Sequence, residues 1–352
     1  MAHLHLVFIN VLLYYSVVST DLCRNGFSCI TLKECRPKSS SSNIIYPCHS
    51  GLNLICCPSN DAFNVTTNLE NRKASLFPVD CGTIFNENKI TGGKNADLGQ
   101  FPWMALLGYK QQDLNITEFL CGGTVVTQRY VLTAAHCITV DKRRALAIVR
   151  LGEHDLKSEV DCVRYGKATV CADKHVDVPV ETIVTHPRYN PKTLKNDVAL
   201  VRVLTNIPTT DYIRPICLPF ERNLERAELA GQKFTISGWG KTNSKNLGGS
   251  TYLQYANVQV WEQDKCNNIL PVQVRPIADT QLCAIGKRED ACKGDSGGPL
   301  ANSTVDLNGD LRVFQVGIVS FAPTMTCGIE ELPPVYTRVD RYLQWITDNI
   351  IE

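Results

Sequence analysis

The sequence predicts an all-β domain of sandwich or barrel type from Ile90 to the C-terminus, closed by one helix. Three observations carry this reading. Short runs rich in Val, Ile, Leu and Tyr alternate with clusters of Gly, Pro, Asn and Asp, as at Tyr130 to Leu132, Ala147 to Leu151, Val198 to Val203, Phe234 to Ser237 and Val313 to Ser320. Regularly spaced short strands with turn signals between them are the pattern of sandwiches and barrels. The composition, 44% hydrophobic and 20% charged over 352 residues, supplies enough apolar side chain for a sizeable core. The tail differs from the rest, because Val339, Tyr342, Leu343, Ile346 and Ile350 fall on one helical stripe. No internal repeat at a solenoid period is found.

The chain opens with an apolar stretch, Leu4 to Val18, that turns small and polar just before Asp21. This is the pattern of a cleaved signal peptide over residues 1–20. A membrane anchor is the rival reading, but the run is shorter than the 18 or so residues of a spanning helix. Secretion into an extracellular, oxidising compartment is therefore expected, with no membrane partner. The formal net charge of +1, from 36 basic and 35 acidic residues, gives no electrostatic reason to expect a nucleic acid.

Sixteen cysteines agree with an oxidising compartment. Cys23, Cys29, Cys35, Cys48, Cys56 and Cys57 lack the paired spacing of structural zinc sites, so disulfides are the expected state. These six fall within residues 21–57, which read as a mini-domain too small to fold on its core alone. Six cysteines permit fifteen connectivities, and the spacing does not choose among them. Residues 58–89 follow as a linker, rich in Asn, Thr, Glu and Lys up to Asp80. Three sequons, at Asn64, Asn115 and Asn302, mark candidate glycosylation sites.

Three segments in the β domain carry chemistry: TAAHC around His136, NDVAL around Asp197 and GDSGGP around Ser296. A serine is a poor nucleophile until an imidazole takes its proton, and a buried carboxylate fixes that imidazole's tautomer. In GDSGGP the glycines let the backbone aim the N–H groups of Gly294 and Ser296 at one point, an oxyanion hole. Together the segments resemble the chymotrypsin and trypsin family of serine peptidases, from Ile90 to the end. The resemblance implies two six-stranded antiparallel β-barrels with a C-terminal helix, and serine endopeptidase activity without a catalytic cofactor. It also implies a hydrogen bond from Ser320 to Asp197.

Further residues follow from the same resemblance. NKITGG looks like a zymogen activation site, with an upstream trypsin-like protease cutting between Lys89 and Ile90 and the freed amine of Ile90 pairing with Asp295. Thr91 stands where the family more often has Val. Asp290 occupies the position of the charge at the floor of a trypsin-like specificity pocket, which implies cleavage after Arg or Lys. Ala322 and Pro334 replace the usual glycines of the pocket walls and narrow it. The implied disulfides are Cys121 with Cys137, Cys266 with Cys283, Cys292 with Cys327, and Cys81 with Cys217 as the tether of the light chain.

With Cys162 and Cys171 as a further pair, the chain resembles arthropod clip-domain serine proteases over nearly its whole mature length. The clip at residues 21–57 would then pair Cys23 with Cys56, Cys29 with Cys48, and Cys35 with Cys57. The acidic segment GEHDLKSEVDC supplies Glu153, Asp155 and Asp161, with the carbonyl of Ser158, as oxygen ligands for a structural calcium ion. Proteases of this kind act in haemolymph cascades of melanisation or Toll signalling, so a protein substrate such as a downstream zymogen or cytokine precursor and serpin-type inhibitors are the implied partners. Two other readings compete: a venom protease of the same architecture, and a non-catalytic clip-domain cofactor, against which an intact Ser296 stands.

Overall fold

The computed structural model describes residues 27–31, 54–58, 76–83, 95–111, 116–138, 143–220, 229–241, 248–286, 294–306, 309–323 and 332–351. The chain divides into two units, Met1–Lys73 and Ala74–Glu352. In the first, β1 (Phe27–Thr31) and β2 (Leu54–Pro58) pair antiparallel with Cys29 opposite Cys56. Residues 1–20, Asn64, Cys23, Cys35, Cys48 and the side chains of Cys29, Cys56 and Cys57 lie outside the described residues.

The second unit holds two closed six-stranded antiparallel barrels. The first is built from β3 (Met104–Gln111), β4 (Thr117–Val125), β5 (Tyr130–Thr133), β6 (Arg144–Leu151), β9 (Val176–Thr185) and β10 (Ala199–Val203). Closure removes every exposed strand edge and lets inward side chains such as Leu107, Val149 and Leu200 fill the interior. The second barrel comprises β11 (Lys233–Gly238), β12 (Gln254–Val260), β13 (Gln281–Gly286), β14 (Pro299–Val305), β15 (Leu311–Phe321) and β16 (Val335–Arg338), packed around Leu282, Leu300 and Tyr336. All five apolar runs read from the sequence lie in strands of these barrels, Val198 alone falling one residue before β10. The runs were shorter than several of the strands, because polar residues on the outward face continue the ladder without an apolar signal.

Three elements add to the expected pattern. A hairpin of β7 (Cys162–Tyr165) and β8 (Ala168–Cys171) stands between β6 and β9. Two short helices, α1 (Ala135–Ile138) and α2 (Gln263–Ile269), interrupt the strands. The closing helix is shorter than its apolar stripe, since Asp340–Tyr342 forms a 3₁₀ turn before α3 (Leu343–Asn349). The stripe still faces inward, with Val339, Tyr342, Ile346 and Ile350 all buried.

Residues 76–83, the last described part of the expected linker, pack onto the second unit instead of running free. Leu76 and Phe77 lie against its core, and the Phe77 ring sits 4.8 Å from that of Phe220. Gly82 donates its N–H to the carbonyl of Pro215 at 2.8 Å, and the adjacent Cys81 is joined to Cys217. Disulfides also join Cys121 to Cys137, Cys162 to Cys171 and Cys266 to Cys283 as expected, and Cys292 and Cys327 lie outside the described residues. No described helix is long and apolar enough to cross a membrane.

Candidate active site

The site begins where β5 ends. Ala134 and Ala135 are fully buried as the chain turns into α1. That turn carries His136, whose backbone N–H donates to Asp197 Oδ1 at 2.8 Å while its ring Nδ1 lies 2.8 Å from Asp197 Oδ2. Asp197 is completely buried. A buried carboxylate needs its lone pairs filled. Besides the two contacts from His136, Ser320 on β15 donates its hydroxyl to Oδ2 at 2.5 Å, and Thr337 on β16 donates to the Asp197 carbonyl at 2.9 Å. With Nδ1–H engaged, Nε2 is the ring nitrogen left to accept a proton.

Beside this pair, the phenol of Tyr109 donates to the carbonyl of Cys137 at 2.8 Å. Burial pushes the Tyr109 hydroxyl well above the ordinary tyrosine range, so it stays a neutral donor. The Nε2 of His136 lies 3.7 Å from Cys137 Sγ. Among the described residues this ring and the sulfurs of Cys121 and Cys137 form the one group of three such side chains with donor atoms within 4.8 Å of one another, but the sulfurs are bonded to each other and offer no thiolate.

Ser296 arrives from the second barrel on a glycine-rich turn. Gly294 has φ of 110° and Gly297 has φ of 81°, backbone states that side chains rarely adopt. The Ser296 carbonyl accepts from Gly122 N–H on β4 at 2.8 Å, which fastens the turn to the first barrel. No hydrogen bond joins Ser296 to His136 among the described residues, and such bonds commonly tighten only when substrate binds. The carboxylate of Asp295 sits between Gly238 and Gly240, accepting the N–H of Gly240 at 2.8 Å. A Cβ on either glycine would approach an Asp295 oxygen to 2.2 or 2.3 Å, so the space is shaped for that carboxylate. This cradle was missed in the sequence, although Gly-Trp-Gly at 238–240 was there to be read.

Of the expected pocket residues, Ala322 is exposed directly after β15, and Pro334 is buried directly before β16. Phe321 and Val335, the last partners of the β15–β16 ladder, are their immediate neighbours in the chain. Asp290, Lys89 and Ile90 lie outside the described residues, as does Asn115; Asn302 is half-buried on β14. In the acidic loop, Glu153 and Asp161 are both buried, and Asp155 and Ser158 partly so. Burial, and then the neighbouring Asp161, raise the Glu153 carboxyl above its usual range. Asp161 accepts from His154 N–H at 2.9 Å and from the Ser158 hydroxyl at 2.5 Å, while Arg150 lies 3.2 Å from Glu153.

Two antiparallel barrels with a buried Asp–His pair on one and a glycine-flanked serine on the other define a serine endopeptidase of the chymotrypsin-like fold. The trypsin family model matches residues 90–346. Serine protease ea of Drosophila melanogaster is 39% identical over 318 residues, covering 86% of this chain and 79% of its own. Phenoloxidase-activating factor 1 of Holotrichia diomphalia is 35% identical over 373 residues, covering 99% and 98%. The crystal structure of the Drosophila Grass clip serine protease of the Toll pathway superposes with a TM-score of 0.69 at 36% identity, covering 84% of this chain and 81% of that one. The chain belongs to the trypsin family and, within it, to the arthropod clip-domain serine proteases.

Proposed function

We propose that this protein is the secreted zymogen of a trypsin-like protease that cuts protein substrates after Arg or Lys. The observation that carries the reading is the 2.8 Å contact between His136 Nδ1 and the buried, triply engaged carboxylate of Asp197. With Nδ1–H fixed there, Nε2 takes the proton of Ser296 as its Oγ attacks the scissile carbonyl, and then returns it to the leaving amine. The N–H groups of Gly294 and Ser296 hold the oxyanion, each such donor being worth about 2.7–4 kcal/mol in related enzymes. Water then releases the acyl group from Ser296.

In this reading residues 1–20 are a signal peptide, residues 21–57 a clip domain, residues 58–89 a linker, and residues 90–352 the protease domain. Cleavage between Lys89 and Ile90 frees an amine that pairs with Asp295 in its glycine cradle and orders the Gly294 loop. Asp290 selects a basic side chain, and Ala322 and Pro334 narrow its path. The names of the relatives, a phenoloxidase-activating factor and a protease of the Toll pathway, support a place in a cascade of that kind; an upstream activating protease and a serpin-type inhibitor would be its partners there. A fluorophosphonate should label Ser296 in protein cut after Lys89 and leave Lys89→Gln protein, exposed to the same activator, unlabelled. Equal labelling of both would end the zymogen reading.

The acidic loop fits calcium by its donor chemistry, because two adjacent buried carboxylates, Glu153 and Asp161, need more positive charge than Arg150 brings. Glu153, Asp155 and Asp161 would supply oxygen ligands together with the carbonyl of Ser158, and the ion would brace the loop. Chelation should lower the thermal midpoint of wild-type protein and leave that of Glu153→Gln unchanged. A midpoint indifferent to chelation counts against the site.

A further inference from the structure

Asp197 lies in a turn that its own backbone resists. Leu194 and Asn196 take φ of 50° and 55°, left-handed values that a leucine in particular disfavours. The N–H of Val198 bonds back to the carbonyl of Asn196 at 3.0 Å, closing a tight turn across Asp197. Such backbone persists only where surrounding groups over-determine it.

Those groups come from the other barrel and its closing segment. Gln281 on β13 donates from Nε2 to the carbonyl of Leu194 at 3.2 Å, and its Oε1 accepts Ala278 N–H at 3.0 Å, which fixes the orientation of the amide. Thr337, directly opposite Gln281 in the β13–β16 ladder, donates to the carbonyl of Asp197. From the 3₁₀ turn, Tyr342 donates its phenol to Asn196 Oδ1 at 3.0 Å, and Asn196 Nδ2 donates to the carbonyl of Arg188 at 2.8 Å. All three donors are buried, at 2%, 1% and 4% exposure, so water cannot replace what any of them supplies.

The geometry points to Gln281, Thr337 and Tyr342 as positioning residues for Asp197: the second barrel sets the backbone from which the first presents its carboxylate to His136. Their hydrogen bonds reach the loop through the carbonyls of Leu194 and Asp197 and the side chain of Asn196, which separates them from Ser320 on the carboxylate itself. The inference rests on the triad reading given above, and goes beyond it by making the alignment of His136 a property of both barrels.

The test uses the full-length chain after activation cleavage, with rates normalised to folded protein. Gln281→Met, Thr337→Val and Tyr342→Phe should each lower kcat about tenfold and change KM less than about twofold, since an ångström of misplacement costs up to about 10²-fold in rate. Thr337→Ser keeps the hydroxyl and should retain kcat. The Gln281→Met, Thr337→Val double variant should lose less than the product of the single losses, because both groups hold one loop. Wild-type kcat in Gln281→Met and Tyr342→Phe, a loss confined to KM, or failure of Thr337→Ser to outperform Thr337→Val overturns the inference. Should Thr337→Val not fold, the other two variants decide. Asp197→Asn tests the underlying triad: it should fall about 10⁴-fold, and that fall with three silent positioning variants would sink the inference while leaving the triad standing.

Discussion

The two barrels close their strands in the same order. Numbered within each barrel, both read one, two, three, six, five, four around the ring, yet no repeat is visible in the sequence. They differ in how they hold chemistry. The first barrel presents His136 and Asp197, which are held by side-chain hydrogen bonds that include the hydroxyl of Ser320 from β15 of the second. The second fixes Ser296 by backbone geometry, through positive-φ glycines and a carboxylate seated between Gly238 and Gly240. Packing makes the first half of the site permanent. The second half hangs on one carboxylate, which makes it the half that the proposed activation cleavage would switch.

That contrast is most exposed at Gly240. A methyl group there would meet Asp295 Cγ at 2.4 Å and its oxygens at 2.3 and 2.5 Å, so the carboxylate must leave the cradle. Gly240→Ala should therefore behave as a permanent zymogen after cleavage, with kcat/KM down about 10²–10³-fold, the scale of losing an oxyanion donor. The Asp197–His136 half should survive, and the thermal midpoint should show a folded protein. Near-normal activity in the cleaved Gly240→Ala enzyme would mean that Asp295 does not organise the serine turn.

The same division explains what could be read from the sequence. His136, Asp197 and Ser296 were legible because nucleophile chemistry restricts residue types within short local motifs, and the barrel strands were legible through their apolar runs. Gln281 was not, since a buried glutamine in a strand looks like any outward polar residue until its partner, 87 positions away, is known. Tyr109 and Thr337 hid for the same reason, as their hydrogen bonds go to backbone carbonyls, which leave no mark on the sequence. The docking of residues 76–83 escaped notice because the apolar run of Leu76, Phe77 and Val79 is short and broken by Pro78, too brief to show a period.

The smallest effect expected concerns the seam between the Asp197 loop and the closing helix, where His186 is buried. Its ring packs 5.3 Å from Tyr342 and 5.2 Å from Trp345, and Nδ1 accepts the N–H of Arg188 at 3.2 Å. Burial first, and then the charge of Arg188, lower its pKa below the ordinary histidine value. In the unfolded chain this histidine binds a proton near pH 6.5, whereas the folded protein accepts one only at lower pH. Between those values the unfolded state carries more protons, so stability contributed by neutral His186 is full above about pH 6.5 and falls as pH drops toward the folded value. Protonation would also remove the Nδ1 acceptor, leaving Arg188 N–H unpaired beside the loop that carries Asp197. Ser296→Ala protein, which cannot digest itself, should show a thermal midpoint that declines below about pH 6.5. His186→Gln in that background should have a lower midpoint at pH 8, where the packed ring is missed, and a flatter decline on acidification. A decline of equal steepness in both proteins would place the acid-sensitive group elsewhere in the two barrels.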